Sequence, residues 1–295
     1  MHSIKENEKV FLFMNSNQTG TLTIIATPIG NLNDMTPRAV DSLHSASLIA
    51  CEDTRHSKKL LNHFSIDKPC VSYHEHGDRK GTDDLIKQLE DGKDIALICD
   101  AGTPLISDPG YRIVAEARNR GIRVIPVPGA CAAISALSVS GLPTDSFYFG
   151  GFLPAKTSQR KTALAELKDN SETLIFYEAP HRIIATLEDM ISEFGADRQA
   201  FIAREISKTF ETYLHGTIHD LHKQVKEDSN QQRGEIVIIV GGVGKRTKVV
   251  SIDAEKVLSL LIKELPASKA ASLTAKICSV DKKLVYQKAL VLLDK

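Results

Sequence analysis

Three loops combine small residues with turn residues, which makes them the first candidates for a ligand site. They span residues 26–32 (ATPIGNL), 100–110 (DAGTPLISDPG) and 126–136 (PVPGACAAISA). Glycine and proline fix such turns and let the backbone come close to a ligand. Asp100, which follows an apolar run, can bind a hydroxyl group or a cation. Each loop alone is typical of an ordinary turn, but three that meet at one rim would form a crevice for a small molecule.

Other familiar chemical motifs are absent or incomplete. The GK pair at 244–245 follows an apolar run, but Arg246 stands where a phosphate-binding P-loop has Ser or Thr. No G-x-G-x-x-G motif follows the first apolar run, so a dinucleotide dehydrogenase has no support. The HEH string at 74–76 places two histidines on one side of an extended segment, yet no third metal ligand is indicated. We therefore predict no metal, and we favour contact of this string with substrate or with a second copy of the chain.

An alternation of strands and helices must position the loops. From residue 21, apolar β-rich runs alternate with amphipathic segments of helical length, which is typical of α/β folds with a mostly parallel sheet. The predicted strands are 21–26, 47–51, 70–73, 94–99 and 123–127, and the predicted helices are 36–45, 57–64, 82–90, 111–120 and 131–140. Ligands of such sheets bind beyond the carboxyl ends of the strands, which is where the three loops fall.

The pattern of predicted strands and helices changes near residue 143 and again after residue 242. Predicted strands 173–177, 199–203 and 236–240, with helices 156–168 and 181–194, indicate a smaller mixed α/β domain; helices 254–264, 268–277 and 282–293 follow. We predict a flexible N-terminal arm over 1–20, a first α/β domain with the ligand loops over 21–142, a second α/β domain over 143–244 and a helical tail over 245–295. Met14 is an alternative start, and a genuine arm is equally compatible with the sequence.

Composition narrows the class of protein. A chain of 295 residues with 42% hydrophobic residues can build about two cores, which excludes a disordered tail protein. No apolar run approaches the roughly 20 residues that a membrane-spanning helix needs. The five cysteines are widely spaced and form no C-x-x-C pair, which argues against disulfides and a zinc site. We expect a cytoplasmic protein with no membrane partner.

The charge is balanced overall but unevenly distributed. The chain has 37 basic and 37 acidic residues, whereas residues 246–295 contain ten Lys or Arg and five Asp or Glu. The tail is therefore net +5 and the remainder net −5. Its pattern over 265–290 is helix, short turn, helix, an element that can lie in a nucleic-acid groove. A packing appendage with solvated lysines is the alternative interpretation.

The loops and several shorter strings together resemble one family. TPIGNL, ACEDTR (50–55), SYHEH (72–76), DAGTPLISDPG, VPGA, FYEAPHR (176–182) and AREISK (203–208) resemble the tetrapyrrole methylase superfamily of S-adenosylmethionine (SAM) dependent methyltransferases, and within it the ribosomal branch. The resemblance covers residues 21–242 and the tail. It implies a class III methyltransferase fold, with two α/β domains and a short helical C-terminal extension. The implied reaction transfers a methyl group from SAM to the ribose 2′-oxygen of a cytidine in 16S rRNA.

The resemblance also implies where SAM binds, namely in a cleft between the two α/β domains and largely through backbone groups. The residues implied for SAM are Pro28, Asp100, Ala101, Gly102, Thr103, Ile106, Cys131, Ala132, Tyr177, Glu178, Ala203 and Ile206. Cys131 departs from the small, often hydroxyl-bearing residue expected at its position. A side-chain hydrogen bond to SAM from that position is therefore in doubt.

Methyl transfer to a ribose hydroxyl asks little else of the protein. SAM carries an activated methyl group, so the protein must mainly align the acceptor oxygen and exclude water. A protonated hydroxyl is a poor nucleophile, so a base or an orienting polar group should lie close by. We predict Glu178, Arg204 and Lys208 as catalytic, with Glu205 as a further candidate, because their loops follow predicted strands. Structural ion pairs are the alternative for each.

Two other functions remain open. One is methylation of a tetrapyrrole or another small molecule by a member of the same superfamily, and the other is a non-catalytic RNA-binding factor in ribosome assembly. The HEH, FYEAPHR and AREISK strings and the basic tail favour RNA, while the intact cofactor loops argue against a pure binding protein. The expected partners are small-subunit rRNA, met within the assembled subunit, and a second copy of the chain in a homodimer.

Overall fold

The computed structural model describes residues 19–73, 79–107, 110–243 and 252–293. The predicted arm up to residue 18, the HEH string and the GK pair lie outside these ranges. One compact unit carries two five-stranded sheets and ends at Gly241, and a second unit comprises Asp169–Ser171 and Gly242–Lys295. The α/β fold class is thereby confirmed, while the predicted domain boundaries at residues 20, 142 and 244 stay a prediction.

The first sheet is parallel throughout and has the strand order β3-β2-β4-β1-β5. Its strands are β1 (Thr21–Ile25), β2 (Leu48–Cys51), β3 (Cys70–Ser72), β4 (Ile95–Ile98) and β5 (Arg123–Val127). Every residue of β2 and β4 is buried, because helices cover both faces of the sheet. Such strands are near-continuous apolar runs, and this is why the sequence pattern located them well.

Of the five α-helices described up to residue 142, four cover the first sheet and one does not. The helices are α1 (Pro37–Ser45), α2 (Thr54–His63), α3 (Arg79–Glu90), α4 (Tyr111–Asn119) and α5 (Ala132–Val139). The core side chains of α1 and α2 pack on one face of the sheet, and those of α3 and α4 pack on the other. Helix α5 follows β5 in the chain but packs against the second sheet through Ala133, Ala136 and Leu137.

The second sheet is mixed and has the order β6-β7-β10-β8-β9. Its strands are β6 (Phe147–Phe152), β7 (Thr173–Glu178), β8 (Gln199–Arg204), β9 (Thr212–Thr217) and β10 (Ile236–Val240), and its helices are α6 (Thr157–Glu166), α7 (Ile183–Phe194) and α8 (Ile218–Glu227). β6 is parallel to β7, whereas β10 is antiparallel to both its neighbours. β6, β9 and α8 are elements that the sequence pattern did not predict.

The described part of the second unit contains three helices, α9 (Ile252–Glu264), α10 (Ala267–Cys278) and α11 (Lys282–Leu293). Leu258, Ala270 and Val285 are fully buried between them. Ser279 adopts a left-handed backbone conformation (φ 52°) that reverses the chain between α10 and α11. The predicted helix-turn-helix pattern is therefore present. Among the described residues, no helix combines the length and apolar character that crossing a membrane requires.

Candidate functional site

A cavity of about 380 Å³ lies where the loops of the first sheet meet one end of the second sheet. Among the residues predicted for SAM, those that line it are Ala101, Gly102, Thr103, Ile106, Cys131, Ala132, Tyr177 and Glu178. Strand β10 and the residues just before it supply another wall through Gly234, Glu235, Ile236 and Val237. The structure thus brings together parts of the second and third loops with the FYEAPHR string.

The other predicted residues lie outside this lining. Pro28, Asp100, Ala203, Arg204, Ile206 and Lys208 are absent from the cavity wall, although Ile29 of the first loop contributes to it. The carboxylate of Asp100 accepts a hydrogen bond from the backbone N–H of Asp53 at 3.3 Å. Asp100 therefore connects the end of β4 to the cap of α2.

Hydrogen bonds hold the three loops to one another. Thr27 and Gly102 exchange two backbone hydrogen bonds, of 2.8 and 3.0 Å, and the Thr103 hydroxyl donates to the carbonyl of Ala130 at 3.0 Å. Gly102 has φ +85°, a left-handed conformation that favours glycine. The second loop also contains two non-glycine residues of positive φ, Leu105 and Ser107. Strained backbone of this kind clusters at functional sites, because surrounding contacts must compensate for its cost.

Aromatic side chains form one side of the cavity. The ring of Tyr177 packs edge-on against Phe149 and Phe152, with centroid distances of 5.1 and 5.5 Å. Its hydroxyl accepts the backbone N–H of Ala133 at 3.3 Å, which ties β7 to the start of α5. Cys131, the residue before α5, makes no side-chain capping bond. The wall is therefore apolar and suits the planar part of a ligand.

Glu178 is held on both carboxylate oxygens. Oε1 accepts from the backbone N–H of Ala179 at 2.6 Å and from Nε of Arg182 at 2.8 Å, and Oε2 accepts from the Thr186 hydroxyl. Its side chain is fully buried. These contacts fix the turn between β7 and α7. The geometry favours a positioning role for Glu178 over the transfer of protons.

Arg204 is also engaged in structural contacts. It is buried, and its guanidinium donates to the side chains of Gln231 and Thr212 and to the carbonyl of Phe210. These bonds brace the turn between β8 and β9, which carries the end of the AREISK string. The structural alternative raised for Arg204 therefore has direct geometric support.

Lys208 lies between two carboxylates. Its Nζ is 2.8 Å from Oε1 of Glu205 and 3.3 Å from Oε2 of Glu235. Burial disfavours the charged form of Lys208, but the hydrogen bond to Glu205 and the charge of Glu235 outweigh it and raise its pKa. For Glu205, burial again opposes ionisation, and the bonds from Lys208 and from the backbone N–H of Glu235 lower its pKa. Both groups are thus ionised at neutral pH.

The side chains of Lys208 and Glu205 pack closely against two glycines, Gly30 of the first loop and Gly234. A Cβ atom at Gly30 would lie 2.3 Å from Cγ of Lys208, and one at Gly234 would lie 2.3 Å from the carboxyl carbon of Glu205. The two glycines therefore make room for these side chains. Glu205 itself has φ 54°. Three segments that are distant in the sequence thus converge on Lys208.

The cavity lining also includes residues that were not among those predicted from the sequence, namely Ile29, Ser107, Phe152, Ala179, Pro180, Gly234, Glu235, Ile236 and Val237. Before Gly234 and Glu235, the polar residues 226–233 are typical of a surface loop. The sequence signal for Glu235 was its position. A carboxylate directly before the most apolar strand, 236–240, lies at the end of that strand, where site residues are expected. Within the described ranges, no group of three or more His, Cys, Asp or Glu residues is arranged to hold a metal ion.

Comparisons with known proteins match most of the chain to one family of methyltransferases. Residues 21–222 match the family of Tetrapyrrole (Corrin/Porphyrin) Methylases, and residues 249–293 match the RsmI C-terminal HTH domain. The chain is 53% identical to Ribosomal RNA small subunit methyltransferase I of Pseudomonas aeruginosa, over 92% of this chain and 97% of that protein. It is 48% identical to the protein of the same name from Haemophilus influenzae, over 94% and 99%.

Solved structures share the fold at low sequence identity. The uroporphyrin-III-C-methyltransferase from Thermus thermophilus matches with a TM-score of 0.54 and 19% identity, over 75% of this chain and 94% of that one. A diphthine synthase matches with a TM-score of 0.56 and 14% identity, over 75% and 90%. These matches fall within the expected fold class.

Proposed function

Because the chain belongs to the tetrapyrrole methylase family, and within it to the family of Ribosomal RNA small subunit methyltransferase I, we propose that it methylates small-subunit rRNA. The methyl donor is SAM and the acceptor is the ribose 2′-oxygen of a cytidine in 16S rRNA. The observation that carries the proposal is 53% identity over 92% of the chain, together with a cavity built from the family's loops.

The cavity has the chemistry that SAM requires. Gly102 has no side chain, and the side chains of Ala101, Thr103 and Ala132 are small. Backbone N–H and C=O groups of these loops can therefore reach the ligand. The apolar wall near Tyr177 suits the adenine ring. SAM supplies an activated sulfonium methyl group when bound. The residues of the chain orient it, keep water away from it and present the acceptor hydroxyl to it.

The second unit supports RNA as the substrate. Its basic excess of five charges attracts phosphate, and Lys282 and Lys283 are exposed beside Tyr286 at the start of α11. We further propose that the enzyme acts in the cytoplasm as a homodimer on the assembled small subunit. Glu178, Arg204 and Lys208 remain the proposed site residues, with the first two positioning the loops.

The reaction can be tested directly with purified protein, SAM and small-subunit rRNA, free or assembled. We expect 2′-O-methylcytidine by nucleoside mass spectrometry, resistance of one linkage to alkaline cleavage, and activity that survives a chelator. A base-methylated nucleoside alone would contradict the proposal. So would methylation of a porphyrinoid with no reaction on RNA, which would favour the small-molecule alternative.

A further inference from the structure

The proposed reaction needs a proton acceptor that reaches the acceptor hydroxyl. Among the described lining residues of the cavity, carboxylates are supplied by Glu178 and Glu235. Glu178 is saturated by Ala179, Arg182 and Thr186, and its side chain is fully buried. To take a proton from RNA, it would have to break bonds that hold the β7–α7 turn. Glu178 is therefore a poor candidate for the base.

Lys208 is also a poor candidate. An amine can act as a base only after it has lost its proton, and the contacts with Glu205 and Glu235 raise the pKa of Lys208 from its ordinary value of 10.5. At neutral pH its Nζ stays cationic. Its position, 3.3 Å from Oε2 of Glu235, lets it orient that carboxylate by charge.

Glu235 has the opposite surroundings from Glu178. Its side chain is 68% exposed, so a substrate as large as RNA can approach it, and the residue belongs to the lining of the cavity. Among the described residues, Lys208 contacts Oε2, and no donor makes a hydrogen bond to Oε1. The residue stands directly before β10, a fully buried central strand, so its backbone is well fixed. One carboxylate oxygen is thus held and the other is available.

We propose that Glu235 is the general base of methyl transfer, an assignment that rests on the proposed function. Oε1 accepts the proton as the 2′-hydroxyl O–H bond breaks. The 2′-oxygen forms a bond to the methyl carbon, and the carbon–sulfur bond breaks with its electron pair left on sulfur. S-adenosylhomocysteine and a neutral carboxylic acid result, and the proton then passes to water. Lys208 orients the carboxylate from its other side.

The test compares Glu235→Gln with wild type in single-turnover methylation of small-subunit rRNA. Loss of a general base lowers the rate by about 10² to 10⁴-fold, so we expect at least a 100-fold loss. SAM affinity, measured by calorimetry, should change by less than about twofold, because the amide keeps the size and position of the carboxylate. Glu227→Gln, on the exposed surface of α8, is the matched control and should retain the wild-type rate.

A second variant separates a base from a merely structural residue. In Glu235→Ala, added formate should restore part of the rate by supplying a carboxylate in the vacated space, whereas Lys208→Met should show no such rescue. A rate for Glu235→Gln within threefold of wild type would overturn the assignment. Failure of formate rescue combined with lost SAM affinity would overturn it too. If wild type itself forms no 2′-O-methylcytidine, the proposed function fails first and the assignment falls with it.

Discussion

At the scale of single residues, two glutamates of one cavity have opposite surroundings. Glu178 is buried and accepts hydrogen bonds on both oxygens, so its charge stabilises a turn. Glu235 is mostly exposed and keeps one oxygen free of protein donors within the described structure. Because their residue type is the same, only their neighbours separate a structural from a chemical role.

The Glu205–Lys208 pair predicts a pH window of stability. The pKa of Glu205 is lowered by folding, so its stabilising contribution is present above the ordinary value of 4.5 and is lost as pH falls through the folded value. The pKa of Lys208 is raised, so its contribution is present below 10.5 and is lost as pH rises through the folded value. Glu205→Gln should therefore cost about 1 kcal/mol of unfolding free energy near pH 7, and progressively less below pH 4.5.

Urea denaturation of wild type and Glu205→Gln between pH 4 and pH 8 measures this difference. Glu166→Gln, on the exposed side of α6, is the control and should show a small, pH-independent effect. A cost for Glu205→Gln that stays constant down to pH 4 would contradict the proposed pairing.

Gly102 predicts a loss of donor binding through its backbone. A Cβ there would sit 3.4 Å from the Ile29 side chain, which is ordinary contact, but φ +85° strains any side-chain-bearing residue. Such strain costs of order 1–3 kcal/mol, so Gly102→Val should shift the loop and weaken SAM binding by about tenfold or more. Calorimetry measures the affinity. Gly121→Ala, which has φ +72° and open space, should lower stability and leave SAM affinity unchanged.

At the scale of elements, strand register assembles the second half of the site. Ile236 of β10 is paired with Glu178 on one side and with Arg204 on the other. The ends of three strands therefore meet in one row, and Glu235, which immediately precedes Ile236, lies next to that row. Helix α5 adds to the arrangement, because it carries the third loop's end onto the same sheet.

The buried ion pair between α6 and α7 allows a prediction about helix packing. Arg160 and Asp189 lie 2.7 Å apart, and Arg160 also donates to the carbonyl of Ala155. Arg160→Met leaves the aspartate charge buried and unpaired, so it should cost about 3–5 kcal/mol of unfolding free energy. The double variant with Asp189→Leu should recover most of that loss, because both charges are gone. Urea denaturation of both variants checks this, and equal losses would contradict it.

The sequence predicted elements well where burial alone shaped the pattern. The strands of the first sheet are such a case, since both faces are covered. The pattern did not predict β6, which contains the Gly150-Gly151 pair, or β9, which alternates half-buried and exposed residues over 212–215 and has no fully buried residue. It placed α2 three residues late, because the cap by Asp53 is a local hydrogen bond with no apolar signal. Glu235 escaped because its role depends on β10's neighbours, which sequence order does not reveal.

At the scale of the whole molecule, the excess of basic residues and the candidate SAM cavity lie in different units. The described cavity belongs to the unit with both sheets, whereas the basic excess lies in residues 246–295. Lys288 of α11 pairs with Glu255 of α9, so it serves the packing of the tail. Lys282 and Lys283 have no such partner among the described residues, which makes them the better probes of RNA contact.

Removal of the tail should separate the two functions. Truncation after Gly244 should leave SAM affinity nearly unchanged and reduce both RNA affinity and its dependence on salt, because fewer counterions are released. Replacing Lys282 and Lys283 by Gln should lower the magnitude of the log–log salt slope by about 1 to 2, while the Arg replacements keep it. Filter binding across a salt series measures both. An unchanged slope after truncation would assign RNA recognition to the two sheets.

Helix α5 has a consequence for how this gene can be divided. Its chain leaves the first sheet, yet Ala133, Ala136 and Leu137 complete the core of the second. Separate expression of residues 1–142 and 143–295 should leave the core of the second sheet uncovered in fragment 143–295. Fragment 1–142 should then expose the apolar face of α5. The fragments should regain SAM binding only when co-expressed, as a split enzyme. A chimera that takes its first sheet from one relative and its second sheet from another should then fold only when α5 comes from the same parent as the second sheet. The boundary for such an exchange therefore lies between β5 and α5.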